Sequence, residues 1–76
     1  MAVEVLSPLD SASDVLGKID AWLEAGTRLV WVVDPKKKTV TVFAPKRQPM
    51  ILKEKDVVEG EDLLPGFRLE VGEIFR

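Results

Sequence analysis

Cysteine and histidine are both absent from this 76-residue chain. Without cysteine there is no disulfide to reinforce a small fold, no thiolate metal site and no cysteine nucleophile. Without histidine, zinc sites of the usual kind, Ser-His-Asp and Cys-His mechanisms and imidazole-based pH sensing are all excluded. Any chemistry has to run on carboxylates, lysines, arginines, hydroxyls and backbone groups. Long apolar runs are lacking as well. The longest, Leu29–Val33, falls far short of the ~20 residues a membrane-spanning helix needs. Met1-Ala2-Val3-Glu4 has no basic segment of the kind that opens a signal peptide. These absences predict a cytoplasmic protein that does not enter a membrane.

What is present is ordinary globular material, 46% hydrophobic and 32% charged. The length allows one small domain, residues 1–76. Such a chain buries only about 60–65% of its unfolded surface, so its stability margin is thin. The net charge is −2, but it is unevenly spread. Residues 1–34 hold six acids and two bases, and residues 54–76 hold seven acids and three bases. Between them, residues 35–53 hold six bases and no acid. Lys36, Lys37, Lys38, Lys46 and Arg47 are therefore candidates for phosphate contact, with DNA as the partner. The alternative is a solvated hairpin whose lysines discourage edge-to-edge aggregation.

Hydrophobic periodicity orders the rest. Ala2–Leu6 reads as a buried strand ended by Ser7-Pro8, since proline cannot continue a ladder. A helix follows from about Ser13 to Ala25, with Asp10, Ser11 and Ser13 as possible N-caps. Val15, Leu16, Ile19, Trp22 and Leu23 fall within about 120° on it, an amphipathic stripe. Gly26 is placed to end it as the C′ glycine. Arg28–Asp34 is a strand apolar on both sides, and Thr39–Ala44 returns beside it after a tip of about four residues. Met50–Lys53 is a short strand. Beyond it lies a tail with a turn at Pro65-Gly66 and one helical turn near Gly72–Phe75.

A strand–helix–strand unit followed by a hairpin predicts an α/β (α+β) fold, a mixed sheet of three to four strands with one main helix. One helix covers one face. The second face of Arg28–Asp34 must therefore be covered by the tail or by another chain, and the latter would be a homodimer.

Two residues stand out chemically. Glu4 is a carboxylate centred in an apolar strand, so it is paired, binds a cation, or faces water from an edge strand. Lys18 lies about 40° from Trp22 at the margin of the helix stripe. It either reaches the end of the sheet or pairs with Asp14 at i, i+4. Trp22 and Trp31 read as core residues. Ser7 lacks a histidine base and reads as a strand-end cap.

The runs Val3-Glu4-Val5-Leu6-Ser7-Pro8 and Leu29-Val30-Trp31-Val32-Val33-Asp34-Pro35, with Asp14, Lys18 and Ala25-Gly26 between them, carry a resemblance. It continues through Thr39–Phe43 and Leu63-Leu64-Pro65-Gly66-Phe67 to Glu73-Ile74-Phe75. The chain resembles the bacterial family of putative restriction endonucleases, a branch of the PD-(D/E)XK nuclease superfamily. That superfamily holds Mg²⁺ through an aspartate on one strand and a (D/E)-x-K element on the next. The resemblance implies that Glu4 is the acidic metal ligand and that the Val5 carbonyl is a second one. Leu6 occupies the lysine position, and Lys18 on the following helix takes its place. Mg²⁺, or Mn²⁺, is the implied cofactor, used to polarise a phosphodiester and activate water. The family's aspartate lies upstream of the glutamate strand, so the match is to the carboxy-terminal half of such a domain. Glu4 alone is a poor Mg²⁺ site. These implications predict a partial DNA endonuclease domain, weak or inactive alone. The competing expectation is a non-catalytic homodimerising module with a DNA-contacting basic hairpin.

Overall fold

A computed structural model describes residues Met1–Arg76. The strands are β1 (Ala2–Val5), β2 (Val30–Asp34), β3 (Thr39–Phe43), β4 (Met50–Leu52), β5 (Val57–Glu59) and β6 (Arg68–Glu70), with helices α1 (Ala12–Glu24) and α2 (Val71–Ile74). The main sheet runs β1-β2-β3-β4. β1 lies parallel to β2 with Glu4 opposite Val32, and β2–β3 and β3–β4 are antiparallel. This is a mixed sheet, and its four strands fall within the three to four expected from the sequence.

Helix α1 begins one turn-fraction earlier than its periodicity suggested. Ser11 is the N-cap, and its hydroxyl accepts the Asp14 N–H at 3.2 Å. Asp10 is used elsewhere, its carboxylate accepting the Ser7 N–H at 2.8 Å. At the other end Thr27 N–H donates to the Trp22 carbonyl and Gly26 N–H to the Leu23 carbonyl. That is a Schellman stop, and Gly26 supplies its left-handed residue at φ +94°.

Alternation along β2 divides the interior in two. Val30 and Val32 pack with Ala2 and Ile19 beneath α1. Leu29, Trp31 and Val33 pack on the opposite face with Val40, Val42, Val58 and Val71. The last two come from the tail, so the chain covers its own second face. The tail has more order than its composition suggested: β5 and β6 pair as an antiparallel ribbon. Asp56 and Glu54 carbonyls accept the Val71 and Gly72 N–H groups at 2.8 and 2.9 Å, tying the ribbon to α2. The turn at Pro65-Gly66 is present, with Gly66 at φ +81° and Phe67 N–H bonded to the Leu64 carbonyl. Trp31 lies against Phe67 with ring centroids 5.7 Å apart, and its indole N–H has no acceptor.

The stripe on α1 is narrower than its spacing implied. Ile19 is buried, whereas Leu16 and Trp22 are 54% and 42% exposed. Trp22 is not a core residue, because α1 lies over β1 and β2 and Trp22 faces past the edge of the sheet toward Glu4.

Candidate functional site

β1 is an edge strand, paired only with β2. Glu4 shares the face of its partner Val32, the side covered by α1. There it is half-buried, and the Trp22 indole N–H donates to its Oε1 at 2.9 Å. Glu4 is therefore neither a free surface acid nor an unpaired buried charge. The hydrogen bond leaves its second oxygen without a protein donor. Lys18 lies one turn before Trp22 on the same side of α1, as i, i+4 residues do. Glu4, Lys18, Ala21, Trp22 and Ala25 together line an open cleft of about 440 Å³. No residue of β2 contributes, so the cleft opens over the free edge of β1.

Lys18 makes no ion pair, with Asp14 or with any other acid. Its ammonium is thus available to a ligand in the cleft. Val5 is 62% exposed. Ala2 and Leu6 N–H groups bond to the Leu29 and Val33 carbonyls, and bonding direction alternates along a strand. The peptide groups of Val3 and Val5 therefore face outward from the sheet, and the Val5 carbonyl lies on the same free edge as the cleft.

The donors fall short of a magnesium site. Nowhere do three or more carboxylates converge, and Glu4 is the only acid in the cleft. One carboxylate and one carbonyl do not by themselves fit Mg²⁺. A second groove, of about 390 Å³, runs between α1 and β2–β3 and is lined mainly by Leu6, Val15, Leu16, Ile19, Val32 and Phe43. Its single ionisable residue, Asp10, is bound to the Ser7 N–H, so it holds no reactive group.

The five basic residues singled out in the sequence are not one patch. Lys36, Lys37 and Lys38 form the β2–β3 tip, where the Asp34 carboxylate accepts the Lys36 and Lys37 N–H groups at 3.0 and 3.2 Å. Lys46 and Arg47 lie in the β3–β4 connection, at the opposite end of the sheet. Arg47 is paired there with Glu61 at 3.1 Å. Lys53 and Lys55, by contrast, come to the same end as the tip, because Val40 of β3 is opposite Leu52 of β4. Lys53 was visible in the basic stretch, but only the β3–β4 register reveals its neighbours.

The family model named Uma2, described as "Putative restriction endonuclease", matches residues 1–72. The chain belongs to the Uma2 family. A solved structure from Anabaena variabilis, described as a putative nuclease belonging to DUF820, superposes with a TM-score of 0.86 at 27% identity. The match covers 96% of this chain and 41% of that one, so the present chain spans less than half the length of that relative. No curated protein matches it. Family and fold together establish a restriction-endonuclease-like architecture for these residues.

Proposed function

We propose that these 76 residues supply part of a DNA phosphodiesterase site of the Uma2 family, acting in the cytoplasm, and have weak or no activity on their own. The observation that carries the reading is the shared cleft of Glu4 and Lys18 at the free edge of β1. Lys18 would place an unpaired cation beside a phosphodiester, orienting the attacking water and stabilising charge that develops on the phosphoryl oxygens. Glu4, oriented by Trp22, is the anionic partner that a divalent cation such as Mg²⁺ or Mn²⁺ would require. At least one further carboxylate has to come from outside residues 1–76 before such an ion is held well.

The test combines binding and cleavage. Calorimetric titration with Mn²⁺ is expected to show weak binding that Glu4→Gln abolishes. Any nicking of supercoiled plasmid in Mn²⁺ should disappear in both Glu4→Gln and Lys18→Ala. Vigorous cleavage that survives either substitution would overturn the reading, as would Mn²⁺ binding unchanged in Glu4→Gln.

A second reading rests on a different observation. Val3 and Val5 are 52% and 62% exposed beside the unpaired β1 edge, an arrangement that accepts another strand. A homodimer joined edge to edge would cover them. Light scattering decides it: a monomer mass at high micromolar concentration removes this reading.

A further inference from the structure

Two turns meet at the end of the sheet where the parallel strands β1 and β2 finish. One is the β2–β3 tip, residues 35–38. The other is the turn Lys53–Asp56 that leaves β4, closed by the Asp56 N–H bonding to the Lys53 carbonyl at 2.9 Å. Each is fixed by an aspartate. Asp34 Oδ1 accepts the Lys36 and Lys37 N–H groups, and Asp56 Oδ2 accepts the Lys53 N–H at 2.8 Å. Between the turns lies a cleft of about 440 Å³ lined by Lys37, Lys38, Thr39, Lys53, Glu54, Lys55 and Asp56, with no hydrophobic residue.

None of Lys36, Lys37, Lys38, Lys53 and Lys55 takes part in an ion pair. This is notable in a chain whose three salt bridges all use arginine. The two turn aspartates, the acids placed to neutralise them, direct their bonded oxygens at backbone N–H groups instead. Glu54 is the remaining acid in the cleft. Counting Asp34, Glu54 and Asp56 against the five lysines leaves the two turns at +2, while Glu70, Glu73 and Arg76 line an adjoining cleft with Lys38 and Lys55. The whole chain is at −2, so the rest carries −4. The two turns are thus a local basic patch on an acidic body, and a polyanion is drawn to them rather than to the remainder.

We infer that the paired turns form a binding site for the phosphate backbone of duplex DNA, with Lys37, Lys38, Lys53 and Lys55 as its contacts and Lys46 and Arg47 outside it. The cleft is open and its lysines are mobile point charges, which suits a ligand of repeated charge better than a single anion. The register also relates the site to the Glu4–Lys18 cleft. Glu4 is opposite Val32, Val32 opposite Thr41 and Thr41 opposite Ile51, and Lys53 lies two residues further along β4. Three strand spacings and two residues place the two sites roughly 15 Å apart. A duplex carries a charge about every 1.7 Å of its length, so one duplex can lie on both.

The inference rests on the proposal that the substrate is DNA, but its test needs no cleavage. A fluorescein-labelled 20-base-pair duplex is titrated with the full chain in EDTA, and anisotropy is followed from about 50 to 200 mM salt. Four phosphate contacts give a log–log slope near −3.6, a loss of roughly 100-fold across that range. Lys53→Gln/Lys55→Gln should reduce that slope by about 1.8, as should Lys37→Gln/Lys38→Gln. Lys46→Gln/Arg47→Gln should leave both slope and affinity within twofold. Glutamine keeps most of the stem and removes only charge from exposed positions, and circular dichroism confirms that each variant is folded. Glu4→Gln binding like wild type separates a failure of the hydrolytic reading from a failure of this one. Salt-independent binding, no binding at 50 mM salt, or a slope carried by Lys46 and Arg47 would overturn the inference.

Discussion

Val58 is the residue on which attachment of the tail most depends. It belongs to a two-stranded ribbon that pairs with nothing else, so side-chain packing has to hold β5 and β6 on the sheet. Val58 is fully buried against the face that carries Trp31, Val40 and Val42. Val58→Ala removes two methyl groups, worth about 0.8 kcal/mol each in transfer free energy. A partly unrelaxed cavity adds a further ~1 kcal/mol, for a total of about 2–3 kcal/mol. A chain of this size has a total stability of about 4–11 kcal/mol, so the substitution removes a large fraction of it. The midpoint of thermal unfolding should fall by roughly 10–20 °C. Val57 precedes it on the other face of the same strand and is 38% exposed. Val57→Ala should cost no more than about 0.5 kcal/mol. Urea and thermal unfolding followed by far-ultraviolet circular dichroism measures both. If the two variants fall within 0.5 kcal/mol of each other, the tail does not cover the sheet in the way described.

Two further substitutions test the local geometry. Gly60 is buried in the connection between β5 and β6, and a Cβ there would collide with the Cβ and carbonyl of Leu64. Gly60→Ala should therefore destabilise by about 2 kcal/mol in the same urea assay, because backbone rather than a mobile side-chain end has to move. Trp22→Phe removes the indole N–H that orients Glu4 while keeping an exposed ring. It should lower Mn²⁺ affinity severalfold and change stability by less than about 1 kcal/mol; an unchanged affinity would show that the hydrogen bond does not position the carboxylate.

The main sheet was legible because each of its strands carries its own signal. Val-rich runs bounded by Ser7-Pro8, Asp34-Pro35 and Gly26 fix β1, β2 and the end of α1, and the ends observed differ from expectation by at most two residues. The β5–β6 ribbon was not legible. Val57–Glu59 and Arg68–Glu70 are three residues each, too short for alternation to stand out, and each ends on an exposed acid. What makes them strands is tertiary: Val58 and Leu69 dock on a face that only the fold of β2 and β3 creates. The apolar character of β2 on both sides did require a cover, and the tail provides it. For the site, the sequence isolated Glu4 and Lys18 but assigned Trp22 to the core, since helical periodicity cannot tell which end of a stripe overhangs a sheet edge. The basic stretch misled in the same way. Contiguity in sequence joined Lys36–Lys38 to Lys46 and Arg47, whereas antiparallel pairing sends the two groups to opposite ends and brings in Lys55 from beyond the stretch.

The division of the interior by β2 also separates the two indoles of the chain. Trp31 lies under the tail, dry and in contact with Phe67, while Trp22 stands half in water with its N–H on Glu4. Their emission should differ accordingly, blue-shifted for the first and red-shifted for the second. A cation drawn to Glu4 perturbs Trp22 alone, and lifting of the β5–β6 ribbon perturbs Trp31 alone. The protein thus carries a separate optical reporter on each side of its sheet, one for occupancy of the cleft and one for opening of the tail.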